Sequence, residues 1–143
     1  MDEQLRDQSI RVLKAFFRDM RTWQITCRAR EREHRAGGIS AEERKHRDLA
    51  DLRVIFDKYC KYKTFFDSYS YRDPPSYDPE REEILEVVED GKDIVVVTDK
   101  TVPPFPTKLR YYLRGAKDGL RLTTKRQRYD EYEKKWLRYD LLL

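Results

Sequence analysis

From Leu5 onward, apolar or small side chains return every three or four residues: Leu5, Ser9, Val12, Leu13, Phe16, Met20, Trp23 and Cys27. That spacing places them on one stripe of a long helix, with charged residues covering the rest of its surface. The stripe gives way to "RAREREHR", whose alternating signs suit a solvated helix end. "AGG" at Ala36 to Gly38 then stops the helix with residues suited to a C-terminal cap. A second helix restarts at "SAEE", where Ser40 can cap the free amides and Glu43 stands at capping-box spacing. Leu49, Leu52, Phe56 and Tyr59 extend its buried face. The two helices are expected to form an antiparallel hairpin.

After Lys63 this period is lost through "TFFDSYSYRDPPSYDPE". Pro74, Pro75 and Pro79 donate no backbone hydrogen bonds and bias their predecessors toward extended geometry, which predicts an ordered loop or short irregular turn. The period then becomes two. "EEILEVVEDGKDIVVVTDK" reads as a hairpin, with β-branched runs on either side of Asp90-Gly91, whose glycine can supply the positive φ of a tight turn. "TVPPFPT" separates a third strand, Lys108 to Arg114, and "GAKDG" leads into a fourth that begins at Leu120. Alternation places Leu109, Tyr111, Leu113, Leu120 and Leu122 on the face toward the helices. Arg110, Tyr112, Arg114, Arg121 and Thr123 fall on the other, open to solvent or a partner. The tail carries Tyr129, Tyr132, Trp136 and Tyr139 at helical spacing, which predicts a short helix or strap with Trp136 in the core.

The expected fold class is therefore α+β, an N-terminal helix pair on an antiparallel sheet, and 143 residues without an internal repeat or flexible linker suit a single domain, residues 1–143. Charged residues make up 41% of the chain, well above the ordinary ~25%. The core must then be small and lean on aromatic rings. No apolar run reaches the ~20 residues of a membrane span, and "MDEQLRDQSI" lacks the apolar core of a signal peptide, so a cytoplasmic location is expected. Cys27 and Cys60 lie at different distances from the helical turn. At ~1.5 Å per residue they would stand roughly 20 Å apart along the hairpin, beyond disulfide reach, and are expected to be reduced structural thiols.

The net charge of +4 conceals a sharper division. Residues 65–99 hold eleven acids against Arg72, Arg81 and Lys92, a net of −8, whereas residues 100–128 hold nine bases against Asp118, a net of +8. Adjacent segments of opposite sign point either to cross-strand pairing or to a bipolar docking surface.

Catalytic chemistry has few candidates. His34 and His46 sit among charges with no cluster around them, the cysteines lack zinc spacing, and neither a phosphate-binding glycine loop nor a nucleophile elbow occurs. No catalytic residue, metal ligand or cofactor is expected, although acid/base carboxylate pairs assemble in space and are not legible in sequence. "KLRYYLR" and "KRQRY" interleave bases with rings, the combination that binds single-stranded nucleic acid, but the acidic segment beside them would repel a polyanion.

Five separated stretches resemble the bacterial immunity proteins of polymorphic toxin systems that have a nuclear transport factor 2-like fold. They are "FFRDMRTWQ" at Phe16 to Gln24, "PPSYDP" at Pro74 to Pro79, "EILEVVEDGKDIVVVT", "LRYYLRGAKDGLRL" and "YEKKW", together spanning roughly residues 12–137. "PPSYDP", placed between helix pair and hairpin, is the most specific of them. The chain departs from the pattern at Gln24, where an acid is common, and at Leu120, where an aromatic often follows "DG". The resemblance implies a cone in which helices pack into a curved antiparallel sheet. It also implies a function of binding and occluding a cognate toxin C-terminal domain, with no cofactor. Because interfaces concentrate energy in aromatic and arginine anchors, Tyr71, Arg72, Tyr77, Arg110, Tyr112 and Arg114 are the candidate partner-binding residues. A nucleic-acid-binding module, or a small-molecule-binding or enzymatic member of the same superfamily, are the alternatives.

Overall fold

The computed structural model describes residues 1–61, 69, 75–101 and 106–141. Helix α1 (Glu3–Arg35) begins at Asp2, whose carboxylate accepts from the Gln4 amide. It ends in a Schellman motif: Gly38 N donates to Glu33 O at 2.8 Å and Gly37 N to His34 O at 3.0 Å, with Gly37 at φ 83°. Helix α2 (Ala41–Tyr59) is capped by Ser40, whose Oγ accepts from Glu43 N at 3.0 Å, while the Glu43 carboxylate accepts from Arg47. The helices run antiparallel. Tyr59 donates to Asp19 at 2.6 Å near one end, and Arg30 reaches Asp48 and Asp51 toward the other.

Among the described residues five strands follow in a meander: β1 (Glu82–Asp90), β2 (Asp93–Lys100), β3 (Thr107–Ala116), β4 (Gly119–Asp130) and β5 (Lys135–Arg138). Each is antiparallel to the next, and β1 and β5 are the sheet edges. The predicted hairpin closes through Gly91 and Lys92, with Asp90 opposite Asp93 and Gly91 at φ 61°, the positive angle at the first turn position that matches strand twist. Among the described residues two irregularities bend the sheet. Leu85 is an extra residue in β1, and three β4 residues, Thr123, Thr124 and Lys125, lie opposite the single β3 residue Tyr112.

The tail departs from its predicted helix or strap. Asp130 Oδ1 accepts from the amides of Tyr132 (3.0 Å) and Glu133 (3.4 Å), Lys134 takes φ 54°, and the chain reverses to lay β5 along β4. The aromatic spacing is helical only by count. Tyr129 and Trp136 are cross-strand partners with ring centroids 5.3 Å apart, Tyr139 points to the inner face, and Tyr132 is exposed at the turn. Pairing to an open β4 edge satisfies backbone groups that an isolated short helix would leave to water.

The helix pair covers the inner sheet face. Leu13, Phe16, Phe17, Met20, Trp23 and Cys27 of α1 and Leu52, Ile55, Phe56 and Tyr59 of α2 meet Ile94, Val96, Leu109, Tyr111, Leu113 and Leu122. Phe16 stands edge-on to Phe56, Tyr59 and Tyr77 at 5.8, 5.9 and 5.7 Å. Arg121 departs from the outer face assigned to it. Its Nη1 donates to the carbonyls of Asp57 (2.6 Å) and Cys60 (3.2 Å) at the end of α2, and Asp118 pairs with it at 2.6 Å. The last carbonyls of a helix attract a cation, and Cys60 and Lys61, bonded to Leu122, bring them to that edge of β4. Both cysteines are buried free thiols. Burial pushes Cys60 up to about 12, and burial followed by the Asp48 charge raises Cys27, so neither is a ready nucleophile.

Candidate functional site

The outer sheet face combines a half-covered apolar strip with the two charge blocks. Val95 and Val97 of β2, Tyr112 of β3 and Trp136 of β5 pack together on it. Long cationic side chains lie over them. The Arg110 guanidinium stacks 3.9 Å from the Trp136 ring centroid, and Lys125 Nζ lies 4.1 Å from that of Tyr112. Gln127 Oε1 accepts from both Tyr112 Oη (2.7 Å) and Arg110 Nη1 (3.4 Å), which fixes the arginine in place. Arg114 pairs with Asp93 across β2 and β3 at 2.7 Å. On the β1 side the same face carries Glu83 and Glu86, both exposed, along with Val88. One half of the face is acidic and the other basic, and Asp93–Arg114 shows that part of the charge division goes into cross-strand pairing.

The candidate residues therefore fall into three groups. Arg110, Tyr112 and Arg114 share the outer face as alternation predicted, but Tyr112 is only 5% exposed and acts as a support beneath Lys125. Tyr77 is 6% exposed within the core, so its ring has almost no surface to offer a partner. Tyr71 and Arg72 lie outside the described residues. Sequence reasoning misses Trp136 because the tail carries a helical period, and Lys125 and Gln127 because the face assignment of the fourth strand stops at Thr123, although alternation continued from Thr123 reaches both. The strand alternation shared by Tyr129 and Trp136 across a polar turn was the available signal.

Ser76 and Tyr77 of "PPSYDP" are held by α1, the helix that carries "FFRDMRTWQ". Gln24, 3% exposed, donates to Ser76 Oγ at 2.8 Å and accepts from the Tyr77 amide at 3.3 Å. A carboxylate could accept from the same amide and from the serine hydroxyl, so an acid and a glutamine are physically interchangeable here. Below Tyr77 lies a buried polar cluster. Arg126 donates to Tyr139 O (2.9 Å) and Tyr77 Oη (3.2 Å), and Thr98 donates to Glu82 Oε2 (2.7 Å). Among the described residues, Glu82 Oε1 and the Tyr111 hydroxyl are buried without a hydrogen-bond partner.

Burial raises the Glu82 carboxyl above its ordinary value, and the Thr98 hydroxyl, Lys100 and Arg126 offset this only in part. A carboxyl raised on folding adds stability that is fully present below its unfolded pKa and lost as pH rises through the folded value. Glu82→Gln is therefore expected to increase the urea midpoint at pH 7, with the gain shrinking as pH falls toward ~3, where the wild-type carboxyl is protonated in both states. Equal midpoints at pH 7 would show that the charge is not under strain.

His34 Nδ1 lies 2.9 Å from Ile39 O in the helical turn, and His46 is exposed. Among the described residues no three His, Cys, Asp or Glu side chains are placed to hold a metal ion, and no helix is long and apolar enough to cross a membrane.

Two helices on an open, bent antiparallel meander are an α+β architecture of the nuclear transport factor 2-like plan, here with a bipolar outer face. Residues 8–140 match the family described as NTF2 fold immunity protein, and the chain belongs to that family. It is also similar to Immunity protein RhsIA of Dickeya dadantii (strain 3937), with 28% identity over 137 residues covering 92% of this chain and 94% of that protein. No solved structure gives a significant match.

Proposed function

We propose that this protein binds a cognate bacterial toxin domain in the cytoplasm and neutralises it by covering the toxin's active site or a surface it needs, without catalysing a reaction. Membership of the immunity family over residues 8–140 carries this reading. The similarity to a protein named for immunity, over nearly the full length of both chains, supports it. The outer sheet face is the contact surface we assign, because it offers pre-ordered arginine and aromatic side chains between blocks of opposite charge. Arg110, stacked on Trp136 and tied to Gln127, loses little side-chain freedom on binding. The rim charges steer association, while the central arginine and ring hold the complex.

The test is co-expression with the toxin encoded beside this gene. Growth is expected to be restored by the wild-type chain, and lack of both binding and protection would overturn the reading. With that pair in hand, Arg110→Glu together with Trp136→Ala is expected to weaken binding by about 2 kcal/mol or more, roughly 30-fold in Kd. Unchanged affinity in a folded variant would move the interface off this face.

A further inference from the structure

On the opposite side of the molecule, the outward surface of α1 and the turn before β1 enclose an open groove of about 520 Å³. One wall is a basic column, Arg11, Lys14 and Arg18, with Ile10 in the lining. All three bases are exposed, and none has an acidic partner among the described residues. The other wall is Pro79, the last residue of the "PPSYDP" motif, and Glu80 after it, and Asp7 stands at one end. This wall is preformed. Asp78 accepts from Glu80 N at 3.0 Å, Arg81 N donates to Asp78 O at 3.0 Å, and Arg21 and Arg81 approach the Asp78 carboxylate at 3.9 and 3.8 Å.

We infer that this groove is a second docking site, which takes an extended acidic segment of a protein partner. Along the helix axis Arg11, Lys14 and Arg18 are separated by ~4.5 and ~6 Å. Carboxylates on alternate residues of an extended strand recur every ~6.7 Å, so consecutive acids on one side of such a segment can meet consecutive bases. Ile10 and Pro79 supply apolar lining for the intervening residues. Asp7 and Glu80 select against a continuous polyanion, because nucleic acid offers no gap in its charge where these two carboxylates face it. That the segment belongs to the toxin polypeptide rests on the proposed function; the fit of the basic groove to an acidic segment does not.

The probe is a short fluorescein-labelled peptide of alternating glutamate and serine, followed by anisotropy at low salt and at about 0.15 M salt. Binding is expected to weaken with salt and to fall about tenfold or more in Arg11→Glu/Lys14→Glu/Arg18→Glu. The charge-matched control Arg32→Glu/Lys45→Glu/Lys92→Glu, at exposed sites outside the groove lining, is expected to bind like the wild type. Absence of peptide binding, or equal loss in both variants, overturns the assignment. So does tighter binding of a labelled oligothymidylate that the groove variant abolishes, which would make the groove a nucleic-acid site. Circular dichroism verifies that both variants fold. Because the peptide assay contains no toxin, its failure is separable from failure to protect cells.

Discussion

Replacing Tyr77 by alanine is expected to cost about 3–5 kcal/mol of folding stability, the range for removing a large buried ring. That is a large share of the ~5–15 kcal/mol that holds a domain of this size together. The ring is packed edge-on against Phe16 and close to Phe17, and its hydroxyl accepts from the buried guanidinium of Arg126. Alanine would leave a cavity between α1 and the sheet and remove a partner from a cation that is itself 4% exposed. Tyr77→Phe keeps the ring and loses only the hydrogen bond, so it should cost about 1.5–3 kcal/mol, the range for a bond to a charged group. Urea unfolding at constant m value measures both. Toxin protection by Tyr77→Ala should fall only as far as the folded fraction falls. A stable Tyr77→Ala protein that fails to bind would instead make Tyr77 a contact residue.

Asp48→Ala is expected to be comparably severe, about 3–5 kcal/mol, because it removes one member of a buried ionic network and strands the others. Asp48 is fully buried. Its Oδ1 accepts from Arg30 Nη1 at 2.9 Å, its Oδ2 accepts a short bond from the Tyr69 hydroxyl, and its backbone carbonyl accepts from Trp23 Nε1 at 2.8 Å. Arg44 approaches the same carboxylate at 3.7 Å. One side chain thus joins α2 to α1 and to Tyr69, the described residue at the start of the crossing toward the sheet. Asp51 supplies the control. It pairs with the same Arg30 at 2.6 Å but is 49% exposed, so Asp51→Ala should cost no more than ~1 kcal/mol. Similar urea midpoints for the two variants would contradict the network's importance.

Much of this architecture was legible in the chain because it follows from local periodicity. The α1 stripe is buried at Ser9, Leu13, Phe16, Met20, Trp23 and Cys27, the "AGG" stop forms its Schellman motif, and Gly91 turns the hairpin. Alternation in β3 placed Arg110 and Arg114 on one face and Leu109, Tyr111 and Leu113 on the other, because side chains on a pleated strand leave no other choice. The tail was misread for a related reason. Four aromatics at three- and four-residue intervals also fit a hairpin when a turn interrupts the count, and the Asp130 turn that makes the interruption depends on a β4 edge free to receive β5.

What the sequence alone determined is the set of elements, their order, the core-facing residues of the helices and central strands, and the resemblance that leads to the immunity family. Tertiary structure decided which polar groups meet: Arg121 with the end of α2, Gln24 with "PPSYDP", Asp48 with α1 and with Tyr69, Arg110 with Trp136. Such contacts join residues separated by 18 to 64 positions. No local period encodes them, because each exists only where packed elements bring a donor and an acceptor within a few ångströms. The same packing turned Tyr77 inward, so that the motif most specific to the family serves as an internal support and as one wall of a groove.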